Sequence, residues 1–201
     1  MKIFTLIVFF FLLFNCVAQG ETTRIVILGD SLTAGYGVPK EAAFPARLER
    51  KLIKQGKDVK VIAAGISGST SASGLRRLKW QMKQRPQVLL LALGANDGLR
   101  GVKIEKTREN LSKVIEEAKK SKLKVILVGM KLPPNYGEAY RSDFEKMYEK
   151  LSKTEGVKHI PFLLKGVAGV PTLNLEDGIH PNEKGHEKIA EYILPFVKEA
   201  L

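Results

Sequence analysis

Short, almost unbroken apolar runs alternate with longer amphipathic stretches along this chain, and that alternation limits its fold more than any other feature. Arg24-Ile25-Val26-Ile27-Leu28-Gly29 is the first run; Val59 to Ala64, Gln87 to Leu93 and Lys124 to Gly129 follow, with a weaker fifth around Val157 to Ile160. Near-continuous Val, Ile and Leu without polar alternation predict parallel strands covered on both faces. Between them, Phe44 to Ile53 places Phe44, Leu48, Leu52 and Ile53 on one side of a helix. Ser73 to Gln84, Lys103 to Ser121, Glu138 to Thr154 and Glu183 to Lys198 read the same way. Strand–helix alternation with right-handed crossovers predicts an α/β fold: a three-layer α/β/α sandwich around a five-stranded, mainly parallel sheet. A chain of 201 residues is the size of one domain with one core, and no repeat, low-complexity stretch or linker divides it.

The N-terminus stands apart. Lys2 precedes an apolar run from Ile3 to Phe14, then Asn15-Cys16-Val17-Ala18. A basic start, about a dozen apolar residues and small residues at a cleavage point form an export signal over residues 1–18. The run falls short of the roughly 20 apolar residues of a membrane span. The expected product is periplasmic or secreted, with the functional domain over 22–201. Cys16, the single cysteine, excludes an intrachain disulfide. It is either discarded with the signal or acylated as the first residue of a membrane-anchored lipoprotein, and both readings stand.

The formal charge of +12 favours anionic surfaces, so peripheral contact with an anionic membrane is expected. Nucleic acid is not an expected partner: the lysines of Lys103 to Lys124 are interleaved with glutamates, as on a solvated helix face, and no reader motif is present.

In a sheet of this kind ligands sit beyond the carboxyl ends of the strands. Gly29-Asp30-Ser31-Leu32-Thr33-Ala34-Gly35-Tyr36-Gly37 follows the first run. A serine on such a turn can present its hydroxyl at the sheet's edge and its N–H to an oxyanion; alone it is equally a helix cap. The second run leads into Gly65-Ile66-Ser67-Gly68-Ser69-Thr70, where Gly68 permits close backbone approach, although such a loop is also a plain turn. The third leads into Gly94-Ala95-Asn96-Asp97-Gly98-Leu99-Arg100-Gly101. The Asn96 amide can donate to developing negative charge, while Asn-Asp-Gly is also a turn signal.

Asp177-Gly178-Ile179-His180-Pro181-Asn182 is the most specific local pattern. A carboxylate three residues before an imidazole can hold its Nδ1–H and leave Nε2 as a base toward a serine. Of the other two histidines, His159 has no acidic residue close in sequence, and His186, beside Glu187 in the last helix, is expected on the surface. No second His or Cys falls at ligand spacing, so no metal is expected.

Ser, Gly, Asn and Asp/His thus arrive in that order, in the blocks GDSLTAGYG, ISGSTSASGL, LGANDGLRG, KLPPNYG and DGIHPN. With these five blocks the chain closely resembles the SGNH (GDSL) hydrolase superfamily, in particular its bacterial periplasmic acyl-CoA thioesterase/lysophospholipase (arylesterase) members, from about Ile25 to the C-terminal helix. The resemblance implies the flavodoxin-like SGNH fold and a serine esterase or thioesterase that needs no cofactor. It implies Ser31 as nucleophile, His180 as base, Asp177 as its orienting acid, and an oxyanion hole of the Ser31 and Gly68 N–H groups with the Asn96 amide. It also implies that Leu99 and Arg100 lie in a loop beside the acyl site and that Leu132 and Pro133 line the acyl groove. Acyl esters or thioesters, including lysophospholipid, are the expected substrates, taken by a monomer. Ser69 departs from the family pattern, which often has Asp there. Two alternatives remain: a carbohydrate O-deacetylase on the same scaffold, against which apolar Leu99, Leu132 and Pro133 argue, and a non-catalytic surface protein that binds anionic lipid.

Overall fold

A computed structural model describes residues 21–201; the expected export signal over 1–18, with Cys16, lies outside the described residues. Five strands form the sheet: β1 (Thr23–Gly29), β2 (Val59–Gly65), β3 (Val88–Ala92), β4 (Lys124–Val128) and β5 (Lys158–Ile160). Their order is β2-β1-β3-β4-β5 and every pairing is parallel. The helices are α1 (Ser31–Ala34), α2 (Phe44–Lys54), α3 (Gly74–Gln81), α4 (Ala95–Leu99), α5 (Ile104–Lys120), α6 (Glu138–Glu155) and α7 (Glu183–Lys198). Right-handed crossovers put α2 and α7, which pack together, on one face of the sheet; α3, α5 and α6 cover the other. Ile25 to Leu28 and Val88 to Leu91 are at most 1% exposed, because β1 and β3 are central and covered on both sides.

The chain leaves β1 in one direction to form β2 and returns past it to form β3, so the strand order reverses between β1 and β3. A crevice opens at such a switch point. The register makes its rim level: Gly29 pairs with Gly65 on one side and with Ala92 on the other. Glycine is required at the end of β2, since a Cβ on Gly65 would stand 2.2 Å from the Ala34 backbone nitrogen. The absence of a side chain is what lets the β2 end lie against α1.

The fold departs from the sequence expectations in four places. β2 is not covered on both faces: it is an edge strand, with Lys60 and Ala63 exposed and Val61 and Ile62 half-buried. The helix expected over Ser73 to Gln84 is α3 with a 3-10 turn at each end, Ser71–Ser73 and Met82–Gln84. Arg85, at φ 49°, and Pro86 stop it. The loop after β3, where Asn-Asp-Gly reads as a turn signal, contains a short helix, α4. His186 is not on the surface. It is fully buried, its Nδ1 accepts a hydrogen bond from Phe44 N at 3.2 Å, and it ties α7 to the start of α2. Burial lowers its pKa to about 4, with the charges of Arg47 and His180 acting in the same direction, so it is a neutral structural group.

Candidate active site

The nucleophile candidate is set by local geometry. Asp30 caps α1, its Oδ1 accepting from Leu32 N at 3.1 Å, and this places Ser31 at the first helical position just beyond β1. The Ser31 Oγ is 2.9 Å from His180 Nε2. Across the ring, His180 Nδ1 is 2.7 Å from Asp177 Oδ2. The other carboxylate oxygen of Asp177 accepts from Ile179 N and His180 N, both at 2.9 Å. Gly178, at φ 68°, supplies the left-handed residue that this tight loop needs. Asn182 then caps α7 through Lys184 N and Gly185 N, so the whole DGIHPN block is one rigid lead-in to a helix. The Tyr36 ring lies 4.6 Å from the imidazole and tilted at 42° to it, bounding the ring's movement.

Partial burial alone would raise the Asp177 carboxyl, but the His180 N–H, the imidazole and the Ile179 N–H together bring it down to about 2. Ionised Asp177 fixes the proton on Nδ1. Nε2 then offers its lone pair to the Ser31 hydroxyl. Such a relay draws the hydroxyl proton away as oxygen attacks a carbonyl.

The oxyanion candidates meet on the same rim. Asn96 Nδ2 donates to Asp30 Oδ2 at 3.3 Å and to Ser69 O at 3.1 Å, joining the nucleophile turn to the loop that carries Gly68. Gly68 has φ 75° and lies exposed at the tip of that loop. At 3.3 Å the bond to Asp30 is long, so a fully charged oxyanion can compete for that hydrogen. The Ser69 departure costs nothing at this contact, because residue 69 contributes its carbonyl rather than its side chain.

A chain with these elements in this order can be placed among known proteins. The model of the GDSL-like lipase/acylhydrolase family matches residues 27–188. The chain belongs to this family. It is 38% identical over 193 residues to an arylesterase of Vibrio mimicus, covering 96% of this chain and 95% of that one. A thioesterase/protease/lysophospholipase of Escherichia coli is 38% identical, with 92% of this chain and 88% of the relative covered. The crystal structure of TesA superposes with a TM-score of 0.86 at 36% identity, over 89% of this chain and 100% of that one. The chain is accordingly a hydrolase of the SGNH esterase/thioesterase group, and the all-parallel sheet is that group's fold.

For a GDSL-family hydrolase, the remaining expected residues fall near the site in different ways. Leu99 is half-buried and Arg100 exposed at the end of α4, with Arg100 Nη2 3.3 Å from where a Cβ of Gly68 would stand. Pro133 is half-buried, whereas Leu132 is only 4% exposed and packs against Gly98. Leu132 therefore backs the site more than it lines it. Tyr136 Oη donates to Leu99 O at 2.9 Å and Tyr140 Oη to Val102 O at 3.2 Å, anchoring the loop after α4. Among the described residues no group of three His, Cys, Asp or Glu could hold a metal ion.

Three supporting residues escaped the sequence reading. Buried Asp97 holds the 3-10 turn before α3 through Ser71 N at 2.8 Å and Ser71 Oγ at 2.5 Å. Arg77 reaches in from α3 to the carbonyls of Gly29, at 2.8 Å, and Ala64, clamping the ends of β1 and β2. Asp30 is 1% exposed, and burial pushes its carboxyl up to about 6 against the opposing Leu32 N–H and the charges of His180 and Arg77. With its folded pKa above its unfolded one, Asp30 favours the folded state most below about pH 4, and that contribution is lost as pH rises through 6. Asp30→Asn removes the ionisation. Its stability relative to the unsubstituted chain should therefore improve by up to about 3 kcal/mol between pH 4 and pH 7. Urea unfolding at the two pH values measures this; a difference that does not change with pH contradicts it.

Proposed function

We propose that this chain hydrolyses carboxylic esters and thioesters of acyl chains, lysophospholipids among them, through an acyl-enzyme on Ser31. The observation that carries the proposal is the unbroken line from Ser31 Oγ through His180 to Asp177, at 2.9 and 2.7 Å. His180 Nε2 takes the hydroxyl proton while Oγ attacks the acyl carbon. The oxyanion is received by the N–H groups of Ser31 and Gly68 and by the Asn96 amide, which exchanges its long bond to Asp30 for the developing charge. Collapse expels the alkoxide or thiolate, which His180 protonates as it leaves. Water enters, His180 removes its proton, and the resulting hydroxide oxygen attacks the acyl carbon. The second tetrahedral species returns Ser31 and releases the carboxylic acid. The names of the arylesterase and thioesterase relatives support both leaving groups. A solved esterase from Pseudoalteromonas, 33% identical with a TM-score of 0.84, is described as inhibited by monoethylphosphonate, a mimic of the tetrahedral stage.

Leu99 and Pro133 at the border of the site, with Leu132 behind them, support an acyl chain of several carbons rather than acetyl. A panel of p-nitrophenyl esters and CoA thioesters graded by chain length tests this. A rise in kcat/KM from acetyl to longer chains is expected, at roughly threefold or more per buried methylene. A maximum at acetyl would instead fit a carbohydrate O-deacetylase.

A further inference from the structure

The charge of this protein is unevenly placed. Between Asp58 and Asp97 the sequence contains no acidic residue, yet it carries Lys60, Arg76, Arg77, Lys79, Lys83 and Arg85. The other long helices differ: α5, α6 and α7 intersperse lysines with glutamates, and several of those on α5 and α6 pair. On α3 and the turn that follows it, Arg76, Lys79, Trp80 and Lys83 recur at helical spacing and form one outward stripe, opposite buried Leu78. Among the described residues, Arg76, Lys79 and Lys83 form no ion pair with a carboxylate. Arg77 turns inward to the two strand-end carbonyls.

The same face is apolar between its charges. Because β2 is an edge strand, its end is left uncovered beside α3, and a groove of about 690 Å³ runs there between exposed Ala63 and Trp80. Trp80 is 65% exposed and Ile66, at the groove's end, is 56% exposed. Lys83 Nζ stands 4.0 Å from the centre of the Trp80 ring, holding the indole at the level of the ammonium groups. An exposed indole and a branched aliphatic within a ring of unpaired cations match the interface of a bilayer with anionic headgroups. The apolar groups enter the headgroup boundary and the cations remain with the phosphates. A phosphate ligand or a nucleic acid would account for the cations but not for Ile66 and the open apolar groove.

We propose that the Arg76–Lys79–Trp80–Lys83 stripe with Ile66 is a docking face for an anionic phospholipid bilayer. Ile66 belongs to the loop that carries Gly68, and Arg77 links the groove to the end of β1, so docking here brings the candidate active site to the lipid surface. The face goes beyond the acyl-hydrolase reading and does not depend on it, since it uses none of the residues that would carry the chemistry.

Trp80 is the only tryptophan, so intrinsic emission reports this face directly. The full chain is titrated with phosphatidylcholine vesicles that do or do not contain about one third phosphatidylglycerol, because the negative surface potential is the expected attraction. A blue shift and loss of acrylamide quenching are expected with the anionic vesicles only, weakening as salt is raised. Each cation is worth about fivefold in partition, so the Arg76→Gln, Lys79→Gln, Lys83→Gln triple variant should bind about 100-fold more weakly. Hydrolysis of a soluble p-nitrophenyl ester should remain unchanged in that variant. Removing three exposed lysines from α2 and α7, on the opposite face of the sheet, instead (Lys54→Gln, Lys188→Gln, Lys198→Gln) should change partition by less than about fivefold, as charges held away from the bilayer are screened. An equal shift with uncharged vesicles overturns the proposal, as does an unchanged shift in the stripe variant or an equal loss in the control. So does a single-stranded oligonucleotide that shifts Trp80 as strongly as the vesicles do.

Discussion

Ser31→Ala is expected to lower kcat for a p-nitrophenyl acyl ester by roughly 10⁴- to 10⁶-fold while leaving the protein folded. The loss is large because the proposed acyl-enzyme forms on this hydroxyl, and among the described residues His180 Nε2 has no other hydrogen-bond partner. Residual turnover should come from the oxyanion donors acting on water. The fold should tolerate the change because α1 is capped by Asp30 rather than Ser31, and the Ser31 hydroxyl bonds only to His180 among the described residues. Thermal unfolding measured beside the rate separates the two effects. Turnover within tenfold of the unsubstituted chain would show that acyl transfer does not pass through Ser31.

Asp177→Asn is the second large effect, and its cause is a tautomer. The carboxylate, held at about 2, is ionised above about pH 4 and keeps the imidazole proton on Nδ1. An amide can instead present its NH₂ to Nδ1, which moves the ring proton to Nε2 and turns it toward the Ser31 hydroxyl, where a base is needed. Where the acid is fully buried, this change costs about 10⁴ in kcat. The Asp177 side chain is 39% exposed, so water competes for the same position and the expected loss is roughly 10²- to 10⁴-fold. It should fall on kcat, with KM little altered. Asp177→Asn turnover within threefold of the unsubstituted chain would remove Asp177 from the relay. The depressed pKa also carries a stability consequence: the Asp177 contribution is present above about pH 4 and is lost as pH falls toward 2.

The sequence was most legible where a single physical pattern decides the outcome. Continuous Val/Ile/Leu runs marked β1, β3 and β4 because these strands are buried on both faces. The Asp177–His180 spacing marked the relay because a three-residue offset on a tight turn leaves few alternatives. The same reasoning failed at β2, whose composition matches its neighbours although its place at the edge leaves it half-covered. Strand order is a property of pairing across the sheet and is not written within one run. His186 was misplaced for a related reason. A histidine beside a glutamate on an amphipathic helix resembles a surface pair until the packing of α7 on α2 buries it against Phe44 N. Asp30, Asp97 and Arg77 stayed hidden because each has a partner far away in sequence: Asn96 is 66 residues from Asp30, Ser71 is 26 from Asp97, and Gly29 is 48 from Arg77. Asp30 and Asp97 each sit beside a named motif residue, yet in the fold their carboxylates support those residues and their loops.

The candidate nucleophile is tested most directly with a fluorophosphonate, whose phosphorus bonds covalently to an activated serine oxygen and imitates the tetrahedral intermediate. Intact-mass measurement and peptide mapping should find one adduct per chain, on Ser31, with hydrolysis lost in proportion to labelling. His180→Ala should slow the labelling severely, since the hydroxyl then has no base. Loss of hydrolysis with the adduct on another residue, or stoichiometric labelling of Ser31→Ala, would contradict the assignment of Ser31.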